Sequence, residues 1–226
     1  MRSLLILVAM LAAGCAGAPA PEIEPTLLAK AEQGDVNAQV AVALRYDTGA
    51  RRPEDYAQAV TWYQKAANAG DAVAQNNLGS MYQNGLGVQK DLEKVRALYA
   101  KAAAQGFPMA ENSLGLMYDL GLGGLPQDRA VADAWYLKAA DQGEPEAMLN
   151  LGINYHNGYG VPMDLVQSYK WLDLARFFTQ SSKDMRVKWS CRGALDALSK
   201  EMNPASIKDG QRLSHDWVES FRNKKS

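Results

Sequence analysis

The chain is poor in the residues that support reactive chemistry. Two cysteines occur among 226 residues, Cys15 and Cys191, so no disulfide framework holds it together. Two histidines, His156 and His215, leave multi-histidine metal sites without ligands, and no metal or cofactor is expected. The net charge is −1, whereas binding to nucleic acid through counterion release wants a net basic surface. No nucleic-acid partner is expected either. Phenylalanine (4 residues), isoleucine and valine are scarce, which leaves little strand propensity. Catalytic motifs are missing as well: there is no G-x-S-x-G elbow, no H-E-x-x-H and no Walker loop. What is abundant is alanine, within a hydrophobic fraction of 47%, enough for a sizeable core and a helix-leaning composition.

The first segment stands apart from any fold. Arg2 is followed by the mostly apolar run Ser3 to Ala13 and then Gly14-Cys15. Such a run rises roughly 1.5 Å per residue as a helix and falls short of a ~30 Å bilayer core, so it reads as an export signal. Leu11-Ala12-Ala13-Gly14-Cys15 resembles the lipobox of bacterial lipoproteins, although position −3 is Ala12 rather than Leu. That resemblance implies a signal peptide of residues 1–14 and acylation of Cys15. Ala16, where Asp would favour retention in the inner membrane, implies the periplasmic side of the outer membrane. The alternative is cleavage after Ala18 or Ala20 and a soluble periplasmic or secreted protein. Residues 15–30, with Pro19, Pro21 and Pro25, read as an extended tether.

Beyond it the chain repeats itself. Gly34, Gly70, Gly106 and Gly143 recur at intervals of 36 or 37 residues. In the same frame fall Val42, Leu78, Leu114 and Leu151, then Tyr46, Tyr82, Tyr118 and Tyr155, then Trp62, Leu98, Trp135 and Trp171. A fixed period of this size is the signature of a helical solenoid. Ala74, Leu78, Gly79 and Tyr82 mark one face of a first helix. Gly79, Gly115 and Gly152 sit mid-helix in one register at about 1 kcal/mol each, which predicts that a neighbouring backbone passes there. The pairs Gly85/Gly87, Gly121/Gly123 and Gly158/Gly160 break that helix, and Asp91, Asp128 and Asp164 are placed to N-cap a second one. Gly106 and Gly143 then close it.

The pattern A-x-x-x-L-G-x-x-Y-x-x-G-x-G, in Ala74–Gly87, Ala110–Gly123 and Ala147–Gly160, resembles the Sel-one-like repeat, a longer relative of the tetratricopeptide repeat. The first copy departs, with Ala43 at the mid-helix glycine and Gly49-Ala50-Arg51-Arg52-Pro53 at the turn. The third carries an extra residue near Gly124-Leu125-Pro126. The resemblance implies an all-α, right-handed solenoid of about four units, 34–69, 70–105, 106–142 and 143–176, followed by capping helices over 177–226. In the cap, Val187, Cys191, Leu195, Leu198 and Met202 form one helical stripe and Leu213, Trp217 and Phe221 another, with Asn203-Pro204 starting the last helix.

Some cysteine-rich members of that family are described as β-lactamase-like. Their paired cysteines are missing here, and no serine has a lysine three residues on. The expectation is therefore a non-enzymatic scaffold with no catalytic residue, binding another envelope or cell-wall-associated protein. A hydrolase and a cell-wall-binding structural lipoprotein are the alternatives. In tetratricopeptide-like stacks the first helices line the concave face, and their non-core stripe is the expected partner surface. That stripe is Val73, Asn76, Ser80 and Gln83, then Met109, Asn112, Leu116 and Asp119, then Glu146, Leu149, Ile153 and His156. Charge is uneven: residues 15–175 hold 12 basic and 19 acidic side chains, net −7, whereas residues 176–226 hold 11 and 6, net +5.

Overall fold

The computed structural model describes residues 21–49, 53–180 and 185–225. The signal and lipobox, including Cys15, and most of the first inter-helix turn lie outside the described residues. The described residues form eleven α-helices and no strand, in two compact units that divide at Lys90 and Asp91.

The first unit holds α1 (Pro25–Glu32), α2 (Val36–Thr48), α3 (Pro53–Asn68) and α4 (Ala72–Asn84), each packed on the next. The tether therefore ends sooner than its prolines imply. Pro25 takes the first helical position, where its missing N–H costs nothing, and α1 buries Ala31 against the unit. Asp35 and Asp71 accept the amides of Ala38 (2.9 Å) and Ala74 (2.7 Å) and so start α2 and α4. The core of this unit combines small residues with two large rings: Ala38, Val42, Ala59 and Ala66 are buried, as are Trp62 and Tyr63. The Tyr63 hydroxyl donates to Asp47 Oδ2 (3.3 Å) and accepts from Asn77 Nδ2 (3.2 Å), tying α2, α3 and α4 together. Burial raises the Tyr63 pKa, with the nearby Asp47 charge adding to it. Gly49 closes α2 at φ −93° instead of the left-handed geometry of the later copies, so the first turn differs in conformation as well as in sequence.

The second unit holds α5 (Leu92–Ala104), α6 (Pro108–Leu120), α7 (Arg129–Asp141), α8 (Pro145–Asn157), α9 (Leu165–Phe178), α10 (Met185–Glu201) and α11 (Pro204–Lys225). Asp91, Asp128 and Asp164 are N-caps, accepting the amides of Lys94, Val131 and both Val166 and Gln167 at 2.9–3.0 Å. Gly121 and Gly123 carry φ +66° and +63°, a region L side chains rarely enter, and this turns the chain from α6 toward α7. The extra residue of this copy is absorbed at Gly124, also left-handed, beside a Leu125 N–H to Leu122 carbonyl bond of 3.2 Å.

The mid-helix glycines mark close approach, but chiefly of side chains rather than of backbone. A Cβ on Gly115 would stand 2.8 Å from the Tyr136 ring and 3.1 Å from the Ala132 carbonyl; one on Gly152 would stand 2.6 Å from Leu172 Cγ. The glycine of one helix thus receives a bulky side chain of its partner, and Tyr136 and Leu172 become buried.

Past the repeats, α10 packs on α9 and α8, and α11 packs on α9. The stripe Val187, Cys191, Leu195, Leu198 and Met202 is buried, and Asn203 Oδ1 accepts the Ser206 amide (2.9 Å) to start α11. On α11 the innermost residues are Gly210, Ser214 and Val218, with Leu213, Trp217 and Phe221 half-buried beside them. Trp217 and Phe221 stack at 4.8 Å and meet Phe178 edge-on. No described helix is long and apolar enough to cross a membrane.

Candidate interaction surface

The first helices of the second unit, α6 and α8, present the expected stripe, and the structure sorts it into buried and exposed members. Asn112 is only 6% exposed. Its Oδ1 accepts from Asn150 Nδ2 (3.0 Å) and its Nδ2 donates to Glu146 Oε2 (3.4 Å), while Glu146 also pairs with Arg186 of α10. A polar chain therefore runs from α6 through α8 to α10. The expectation that Asn112 is a free contact residue is corrected: its amide joins two first helices. Asn76 of α4, in the same register, is likewise buried at 5%, and its Nδ2 donates to Asn77 Oδ1 (3.2 Å).

Other members are engaged too. Leu149 packs into the cores that α8 and α9 share with α10. His156 Nε2 stands 3.1 Å from Glu201 Oε2 at the end of α10 and stays partly exposed beside it. Asp119 pairs with Arg129 Nε (3.3 Å), whose guanidinium lies 4.2 Å over the Tyr159 ring. In the first unit Val73, Ser80 and Gln83 are half-buried, and the Ser80 carbonyl accepts from Asn84 Nδ2 (2.9 Å).

What stays open is apolar. Met109 is 52% and Leu120 55% exposed, with half-buried Leu116 between them and Ile153 40% exposed on α8. Met109, Ser113, Leu116 and Leu120 fall at i, i+4, i+7 and i+11, one line along α6. Leu120 was missed by the sequence reading, although its spacing from Leu116 completes the line. Single exposed apolar side chains need no explanation, whereas three aligned on one helix invite a functional reading.

Titratable groups here are structural. Burial pushes the Cys191 thiol up to about 11, which leaves it a core thiol rather than a nucleophile. Burial also raises Glu111, which accepts from Gln142 Nε2 (2.6 Å). Asp133 is raised too, with Oδ1 held by Asn154 Nδ2 (2.6 Å) and Oδ2 buried without a partner. Among the described residues no three His, Cys, Asp or Glu side chains converge as a metal site.

Helix pairs recurring at a fixed interval, with no strand among the described residues, define an all-α helical repeat solenoid. The model of the Sel1 repeat matches residues 36–71, 72–107, 108–144 and 145–176, and the chain belongs to that family. Each copy starts two residues later than the glycine spacing implies, and the last ends at the same residue, 176. The chain is similar to a protective antigen present in uropathogenic Escherichia coli strains that displays an SLR fold, at 32% identity and a TM-score of 0.75. That likeness covers 97% of this chain and 45% of the antigen, so the chain spans under half the antigen's length. It is also similar to a Sel1 repeat protein from Oxalobacter formigenes, at 28% identity and a TM-score of 0.68, over 83% of this chain and 74% of that one. No curated protein matches the sequence.

Proposed function

We propose that this protein is a non-enzymatic interaction scaffold of the bacterial cell envelope, tethered to the outer membrane through an acylated Cys15, with a partner protein docking on the first-helix face of its repeats. The observation that carries the docking reading is the row Met109, Leu116 and Leu120 with Ile153 beside it, held at the surface above a satisfied Asn112–Asn150–Glu146 chain. Apolar side chains at fixed spacing on a rigid element suit helix or extended-peptide ligands. The anchor rests on the lipobox resemblance and on the short apolar run before it; multiple acyl chains hold a protein stably at a membrane.

The test is capture from envelope extracts by the wild type and by a Met109→Ser, Leu120→Ser, Ile153→Ser triple variant. These sites are exposed, so the variant is expected to melt close to wild type, each change costing less than about 0.5 kcal/mol, while its capture of the wild-type partner falls away. Undiminished capture would remove the docking reading. Separately, Cys15→Ser is expected to release the protein from the membrane fraction or stall its processing; unchanged fractionation would remove the anchor.

A further inference from the structure

A cleft of about 670 Å³ opens where α10 and α11 both lean on α9. Its lining includes Tyr169 from α9, Trp189, Arg192, Leu195 and Asp196 from α10, and Gln211 from α11. Within it, Trp189 is 59% exposed, the most exposed aromatic ring among the described residues. The Arg192 guanidinium lies 5.9 Å from that ring and forms no ion pair among the described residues. Lys188, on the same wall, spends its ammonium on the Gln180 carbonyl (3.2 Å). The carboxylate of Asp173 already pairs with Arg176 (2.6 Å) and accepts from the Ser214 hydroxyl (2.6 Å).

We propose that this cleft is a docking site for an acidic, apolar-bearing extended peptide segment of a partner protein. It is a surface distinct from the α6–α8 row and stands or falls apart from it. A guanidinium with no ion pair among the described residues, beside an open indole, is the composition of an interface hot spot: the indole supplies apolar area and the guanidinium a fork for a carboxylate. The +5 balance of residues 176–226 steers an acidic segment toward the site. One turn along α10, Asp196 offers an acceptor for a backbone N–H, and the Tyr169–Gln211 pair, bonded at 3.3 Å, offers further polar partners on the floor. An anionic lipid surface fits less well, because the ring and the cation line a recess rather than a ridge.

The experiment is selection from a phage-displayed library of random short peptides on the purified full chain, followed by affinity measurement on the selected peptides with phosphatidylglycerol vesicles as a parallel arm. Selected peptides are expected to be enriched in Asp or Glu together with large apolar residues. Trp189→Ala and Arg192→Glu are each expected to weaken them by about tenfold or more. Met163→Ala, on the α8–α9 turn, outside the cleft lining and also well exposed, is expected to leave them unchanged. Both cleft positions are exposed, so unchanged thermal midpoints will show that the variants fold. The proposal is overturned by an empty selection, by peptides without acidic enrichment, by affinities indifferent to Trp189 and Arg192, or by retention on vesicles alone.

Discussion

At the scale of single residues, the stability of the repeats depends on side chains fitting into glycine. Gly115 leaves room for the Tyr136 ring 2.8 Å from where a Cβ would lie. Gly115→Leu is therefore expected to cost about 3 kcal/mol through overpacking, lowering the thermal midpoint by roughly 6–12 °C for a domain of this size; a calorimetric scan that finds almost no change would mean the helices are not in close contact there. Asp133 gives a pH signature. Burial raises its pKa in the folded state, so the folded chain binds the proton more tightly than the unfolded one. The stabilisation is full at acidic pH and is lost as pH rises from the ordinary carboxylate range through the raised folded value. Asp133→Asn keeps an oxygen for Asn154 and removes the buried charge, so it is expected to flatten that decline and raise the midpoint at neutral pH. A variant less stable than wild type at pH 7 would show that Oδ2 is compensated after all. Local chemistry of this kind was partly legible: the N-capping aspartates act on amides two or three residues away, so spacing alone locates them. Asn76 and Asn112 were misread for the converse reason. A first helix is flanked by other first helices as well as by solvent, and one helix's periodicity does not say which side is which. The signal lay in the fourth copy, where Leu149 holds the asparagine register.

At the scale of elements, α10 decides how much of α8 remains open. It pairs Arg186 with Glu146 and Glu201 with His156, and it lays Cys191 and Leu195 against the α8–α9 pair. Neither its existence nor its stripe was hidden from the sequence, since its apolar residues step by three and four. Its placement was hidden, because packing on α8 depends on contacts more than thirty residues away. Cys191 reports this packing directly. Its thiol is fully buried and its pKa is raised to about 11, so an aromatic disulfide reagent should label a Cys15→Ser chain only when α10 opens. Labelling is expected to be slow in the wild-type background and faster in Arg186→Ala, which loosens one end of the helix. Immediate labelling of the folded protein would show that α10 does not cover its own stripe.

At the scale of the whole molecule, the Sel1 repeats set the fold and leave function to exposed side chains that any one repeat can vary. The period of 36 or 37 residues announced the repeats, because each copy must bury its apolar faces against another and so keeps the same core register. The surface obeys no such rule: Leu120 stands where the other copies have Thr48, Asn84 and Asn157, and Trp189 lies on α10, past the last repeat. The account's central claim is that the first-helix face of the repeats is the working surface. Photo-crosslinking in cells tests it most directly, with a benzophenone amino acid placed singly at Met109, Leu120 or Ile153 and, as control, at the exposed Leu137 of α7. The account predicts one discrete adduct from the three first-helix positions and none from Leu137. An adduct from Leu137 alone, or equal adducts from all four positions, would contradict it.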